Sequence, residues 1–171
     1  LFSLLGLIIL SPIIILLIFL GIIENGSPLF RQKRVGINQK IFFLLKFRTM
    51  HKNTKSTATH LVDFSKVTSF GLFLRSTKLD EVPQLFNVLI GDMSLVGPRP
   101  NLFAQRKLIS ERKKRGIFKV KPGITGLAQI SGINMKTPTL LAKTDFKMIK
   151  KLNLSYYFYY IFMTFFVILK K

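Results

Sequence analysis

The chain has 171 residues, 49% of them hydrophobic, and a mean hydropathy of +0.36, so it has room for one globular domain plus a membrane element and is too apolar to be disordered. Its 27 basic and seven acidic residues leave a formal charge of +20, which implies an anionic partner: nucleic acid, an acidic membrane surface or a phosphorylated substrate. The absence of cysteine excludes a disulfide framework and thiol chemistry, and leaves only His51 and His60 among the usual zinc ligands. Those two lie in a polar stretch with no other ligand type at metal spacing and read as loop residues.

Leu1 to Ile23 carries no charge, and at about 1.5 Å per residue a helix of this length could cross the ~30 Å hydrocarbon core. The run lacks the basic start and the Ala-x-Ala-like exit of a signal peptide. The first residue is Leu rather than Met, so a missing N-terminal piece is expected. Ser11-Pro12 falls in the middle, where proline removes a backbone hydrogen bond and kinks a helix. Two topologies follow: a kinked span with the basic residues that come after it held in the cytoplasm, which composition favours, or a segment that bends back to the side it entered.

Glu24-Asn-Gly-Ser-Pro28 ends the apolar run. Leu29 to Met50 reads as short extended segments turning at Gly36-Ile-Asn38, with basic clusters at Arg31–Arg34 and Lys46–Arg48 that suit either anionic lipid heads or a phosphate. The polar stretch Lys52 to Thr59 is low in complexity, and Phe70, Leu72, Phe73 and Leu74 carry a helical pattern.

The next stretch holds Asp80, Glu81 and Asp92, three of the seven acidic residues, bracketed by Arg75, Lys78 and Arg99. Leu79, Val82, Leu85, Phe86 and Leu89 recur at helical spacing, and Thr77-x-x-Asp80 has the form of a capping box, so the acids could simply serve a helix start. Their concentration in a chain this poor in acids favours chemistry. Gly91-Asp92 reads as a turn.

Asn101 to Arg115 is a polar helix candidate. Lys121-Pro-Gly-Ile-Thr-Gly126 reads as a glycine-punctuated loop with a short strand, where backbone can approach a ligand closely. Leu154 to Leu169, about 24 Å as a helix, is short for a span and suits an interfacial helix or one packed on the domain, with its four tyrosines at the water–lipid boundary.

Several of these motifs together resemble the bacterial sugar transferases, the monotopic phosphoglycosyl transferases. They are Ser11-Pro12 in the apolar run, Lys46-Phe-Arg-Thr-Met50, Phe70-Gly71 with Arg75, Leu79-Asp-Glu-Val-Pro-Gln-Leu-Phe-Asn-Val-Leu89, Gly91-Asp-Met-Ser-Leu-Val-Gly-Pro-Arg-Pro100 and Pro122-Gly-Ile-Thr-Gly126. The resemblance implies a mostly helical α/β fold: residues 1–23 as a re-entrant membrane helix kinked at Ser11 and Pro12, and residues 24–171 as a catalytic domain with an interfacial C-terminal segment. It therefore reverses the topology that hydropathy favours.

The implied reaction moves a sugar 1-phosphate from a UDP-sugar to polyprenyl (undecaprenyl) phosphate, releasing UMP. This would be the first membrane step of a glycan pathway such as exopolysaccharide, capsule, O-antigen or glycoprotein glycan, at the cytoplasmic face of a bacterial inner membrane. Asp80 matches the family's nucleophile and Glu81 its partner; both are the expected ligands of Mg2+. Lys46, Arg75 and Arg99 match phosphate-positioning residues, and Gly123 and Thr125 belong to a substrate-binding loop. The anionic leaflet is an expected partner and nucleic acid is not.

Two departures stand out. Ile133 stands where relatives carry an arginine, and Lys147 and Met148 where they carry tyrosines. Two other readings remain: a membrane-anchored basic protein binding anionic lipid or nucleic acid without catalysis, and an inactive truncated family member. The former leaves the acidic cluster unexplained, and the aromatics are not interleaved with the basic clusters as a stacking platform requires.

Overall fold

The computed structural model describes residues 2–52, 54 and 63–169; His60, most of the polar stretch after Lys52, and Lys170 and Lys171 lie outside the described residues. The fold is mixed α/β and mostly helical, and the chain divides into two compact units, Leu1–Gln32 with Phe43–Ile90, and Lys33–Phe42 with Gly91–Lys171.

The first unit begins with α1 (Phe2–Ile9) and α2 (Ser11–Asn25), which meet at a 61° bend. The bend has a local cause. Pro12 has no N–H to offer the Ile8 carbonyl four residues back, and the Ser11 hydroxyl donates to that oxygen instead at 2.7 Å. No single helix among the described residues is long and apolar enough to cross a membrane; the bent pair together has the length and composition of a broken span or a re-entrant loop. Helix α2 closes at Gly26, whose φ of 67° lets its N–H return to the Ile22 carbonyl.

β1 (Leu29–Val35) and β2 (Ile41–Phe47) form a two-stranded sheet joined by a 3-10 turn at Ile37–Gln39, at the turn read from the sequence. The helical pattern around Phe70 is α3 (Ser69–Ser76), capped by Thr68, whose Oγ1 accepts the Gly71 N–H at 2.9 Å. After a 3-10 turn at Leu79–Glu81 comes α4 (Gln84–Leu89), against which α1 packs. Leu17, Phe47 and Leu74 form the core here, with Ile14, Ile18, Phe70, Leu79 and Val82 around them.

The helix expected from Leu79 onward therefore starts late, and the capping box is not formed. Thr77 instead ends α3, its hydroxyl donating to the Phe73 and Leu74 carbonyls at 2.8 and 3.3 Å. An α-helix through Leu79 would need an N–H from residue 83, which is Pro83; Val82 donates to the Leu79 carbonyl in its place at 3.1 Å, making a 3-10 turn.

In the second unit, β3 (Ser94–Val96) pairs in parallel with β4 (Gly123–Thr125), Ser94 opposite Gly123 and Val96 opposite Thr125. Gly91, at φ 91°, makes the turn expected beside Asp92. Helix α5 is shorter than expected, Arg106–Lys114, because Asn101 is bridged to Val35 and the Leu102 N–H is taken by Gln105 Oε1. α6 (Leu127–Ile130), α7 (Pro138–Lys151) and α8 (Leu154–Leu169) complete the unit. One cluster packs Leu108, Ile117, Ala128, Leu141 and Ala142, with Ile133 against them; a second packs Val96, Met148 and Tyr160. The tyrosines of α8 are split: Tyr156 and Tyr159 are exposed, Tyr160 is core, and the Tyr157 hydroxyl lies 3.1 Å from Ser94 Oγ.

Candidate active site

The sequence-predicted residues Lys46, Arg75, Asp80 and Glu81 come together in the first unit. Phe42 and Leu44 are buried on the face of β2 that also carries Lys46, Phe47 is buried on the other face, and Lys46 stands beside the carboxylates. The chain leaves α3 through Lys78 in the left-handed conformation, φ 61°, which turns it sharply into the 3-10 segment. Leu79 and Val82 enter the core from this short turn, and the two acids between them face Lys46. Lys46 Nζ stands 2.8 Å from Glu81 Oε1 and 3.4 Å from Asp80 Oδ2, all three side chains at least 85% covered.

Arg75 reaches the same site from the last turn of α3. Its Nε donates to Thr49 Oγ1 at 2.8 Å; burial pulls the guanidinium below its ordinary pKa, and the charge of Asp80 opposes that pull. Close packing sets the spacing: a Cβ on Gly71 would stand 2.1 Å from the Thr49 carbonyl oxygen, so only glycine lets α3 approach the segment after β2 that carries Thr49.

Sequence reasoning missed two residues here. Thr49, 7% exposed, orients Arg75. Asn87, 1% exposed, acts as a short substitute for a neighbouring strand: its Oδ1 accepts the Leu45 N–H at 2.9 Å and its Nδ2 donates to the Phe43 carbonyl at 2.8 Å. These bonds tie the helix after the acids to the strand that carries Lys46. A lone amide in the apolar run Leu85-Phe-Asn-Val-Leu89 was the signal available.

Arg99, Gly123 and Thr125 belong to the second unit. Arg99 is half-buried on the turn after β3. The glycines of the Pro-Gly-Ile-Thr-Gly loop have a packing reason. A Cβ on Gly123 would fall 2.0 Å from the Gly97 nitrogen, so the two backbones occupy each other's side-chain space. The Thr125 hydroxyl is bonded to that of Thr164, which donates to the Tyr160 carbonyl. Both departures are packing residues as well: Ile133 covers the core beside Ala128, and Met148 is buried with its sulfur accepting the Leu127 N–H at 3.2 Å.

Among the described residues no three His, Asp or Glu side chains gather as a metal cage. Two adjacent carboxylates are nevertheless the kind of donor set Mg2+ accepts when water and substrate phosphates complete its shell. Both carboxylates are turned toward Lys46, and Asp80 also interacts with Arg75, so the acids stand among cations that suit phosphate oxygens.

A family model described as bacterial sugar transferase matches residues 1–171. The chain is 46% identical over 125 residues to the uncharacterized sugar transferase EpsL of Bacillus subtilis (strain 168), covering 72% of this chain and 61% of that protein. It is 44% identical over 141 residues to a UDP-glucose:undecaprenyl-phosphate glucose-1-phosphate transferase of Klebsiella pneumoniae, covering 78% of this chain and 30% of the relative. A protein of the same name from Xanthomonas campestris pv. campestris is 44% identical over 124 residues, 67% of this chain and 25% of its own length. The chain thus spans less than two thirds of each of these relatives. With the model matched from the first residue to the last and nearly half of the aligned positions shared, the chain belongs to the bacterial sugar transferase family.

Proposed function

We propose that the chain transfers a sugar 1-phosphate from a UDP-sugar to polyprenyl phosphate. The carrying observation is the Asp80–Glu81 pair, displayed on a 3-10 turn, largely covered, and bridged by Lys46 with Arg75 alongside. The names of the relatives support the donor and acceptor classes.

In this reading an Asp80 carboxylate oxygen attacks the sugar-bearing phosphorus of the UDP-sugar. The bond from that phosphorus to the bridging oxygen breaks, and UMP leaves with the electron pair. A phosphate oxygen of the polyprenyl carrier then attacks the same phosphorus from the opposite side of the new acyl phosphate bond and returns the carboxylate to Asp80. Two anionic substrates are thereby handled one after the other. Lys46 holds Glu81 and steadies the carboxylate pair, and Arg75, fixed by Thr49, presents its cation to the phosphoryl group. Asp80 and Glu81 would hold Mg2+, which when bound supplies charge neutralisation at the phosphate oxygens. Arg99, Gly123 and Thr125 are assigned to donor binding on the resemblance alone.

The bent apolar pair supports a re-entrant arrangement at the cytoplasmic face of the membrane. Both of its halves return to the same unit: α1 packs on α4, and Leu17 of α2 packs with Phe47 and Leu74. A straight span would carry α1 away from that unit.

The test is UMP release by the detergent-extracted chain given UDP-sugars, Mg2+ and polyprenyl phosphate. Asp80→Asn is expected to abolish release; release at the wild-type rate would remove Asp80 as nucleophile.

A further inference from the structure

Arg112 and Asp145 are 2% and 0% exposed in the second unit and are joined by two hydrogen bonds, Nε and Nη2 of the arginine donating to Asp145 Oδ2 at 3.0 and 2.7 Å. A buried pair of this kind is a poor way to hold two helices together, because desolvation takes back most of the Coulomb attraction and apolar side chains of similar volume pack as well. The cost is visible at Asp145. Its Oδ1 is buried without a hydrogen-bond partner, and burial holds its carboxyl above the ordinary 3.8 although Arg112 pulls the other way.

The remaining guanidinium nitrogen shows what the pair secures. Arg112 Nη1 donates to the Arg99 carbonyl at 2.8 Å and to Asn101 Oδ1 at 2.9 Å. The next carbonyl, Pro100, accepts from Nη1 of the buried Arg34 at 3.1 Å, and the one after, Asn101, accepts from the Val35 N–H at 3.0 Å. Three successive carbonyl oxygens are each bound by a donor from a different residue. Pro98 and Pro100 fix φ on either side of Arg99, and Pro100 restricts ψ of Arg99 to the broad extended range without choosing one orientation of the Arg99–Pro100 peptide plane within it. That plane is what a bond to the Arg99 carbonyl holds.

We infer that Arg112, braced by Asp145, and Arg34 are positioning residues that lock the backbone from which Arg99 projects, so that the Arg99 guanidinium meets a phosphate of the nucleotide diphosphate in one preset orientation. The inference rests on the assignment of Arg99 to phosphate binding. A clamped backbone removes ordering entropy that a free loop would lose on binding. Lysine at position 112 would keep the charge but could not span Asp145 and the Arg99 carbonyl at once.

The experiment is a double-mutant cycle on the full chain in detergent, read as Kd for UDP with Mg2+ and accompanied by Tm. Arg99→Ala is expected to weaken UDP binding about tenfold, the loss of one charge-assisted phosphate contact. Arg112→Lys is expected to weaken it by a similar factor, and the double variant no further than Arg99→Ala alone, since Arg112 acts only through Arg99. Losses that multiply in the double variant, or an Arg112→Lys chain that melts earlier but binds UDP as wild type, overturn the positioning role and leave Arg99 standing. An Arg99→Ala chain that binds UDP like wild type overturns the Arg99 assignment and this inference with it. If Arg112→Lys does not fold, Arg34→Gln is judged on the same coupling to Arg99→Ala.

Discussion

The Lys46 ammonium is held chiefly by Glu81, at 2.8 Å, with Asp80 further off at 3.4 Å. One lysine thus serves two carboxylates unequally, and the less engaged of the two is the residue assigned to attack. Removing the lysine would leave two adjacent, largely covered acids facing each other. Lys46→Met is expected to lower UMP release by about 100-fold or more, as for loss of a preorganised charge at a reacting phosphoryl. A normal rate in the variant would show that Lys46 does not govern the pair.

Asn87 makes a second prediction. Asn87→Leu would leave the Phe43 carbonyl and the Leu45 N–H without the bonds that the amide gives them at 2.8 and 2.9 Å. The expected loss in urea unfolding is about 2 kcal/mol or more, the desolvation cost of stranded backbone groups. UMP release should fall beyond what the unfolded fraction explains, because the strand that carries Lys46 is no longer tied to the helix after Asp80 and Glu81. Asn87→Asp keeps the acceptor but sets a buried carboxylate oxygen against the Phe43 carbonyl, and should cost at least as much.

The buried Asp145 carboxyl sets a pH dependence of stability. Its folded value is raised above 3.8, so between the two values the folded chain holds a proton that the unfolded chain gives up. Its contribution is therefore most favourable below the unfolded value and declines as pH rises through the folded one. Urea unfolding of wild type and Asp145→Asn, compared across a pH series from about 4 upward, should show wild type losing ground to the variant as pH rises. Wild type gaining ground over that range would contradict the direction.

The bend at Ser11-Pro12 predicts a change of topology. Ser11→Ala with Pro12→Ala restores an N–H for the Ile8 carbonyl and removes the hydroxyl that now serves it. A straight helix over residues 2–25 would be about 36 Å long, enough to cross the hydrocarbon core. A single cysteine placed near the N-terminus should be labelled from the cytoplasmic face in the bent chain and from the opposite face in the double variant. Labelling from the opposite face in the bent chain would instead indicate a broken span.

Much of the local structure was legible because its causes are local. Pro12 lacks an N–H wherever it stands, and Gly36-Ile-Asn38 turns between two extended runs. The late start of α4 was legible too, in the missing N–H of Pro83, but the apolar spacing from Leu79 to Leu89 concealed it. The capping box at Thr77 failed for the related reason that a threonine hydroxyl serves equally well at the end of the preceding helix.

The amino-acid sequence alone therefore determined the apolar bent segment and the family, and singled out the acid pair as the candidate for chemistry. Tertiary structure decided which groups meet across long stretches of chain: Lys46 with Glu81 at 35 positions, Asn87 with Phe43 at 44, Arg112 with Asp145 at 33. A charge or an amide on a helix is ordinarily solvated, and no local pattern tells a buried partner from a surface one; burial comes only from the packing of distant segments. Gly123 makes the same point. Its lack of a side chain reads equally well as room for a ligand or for backbone, and the folded chain places the Gly97 nitrogen there.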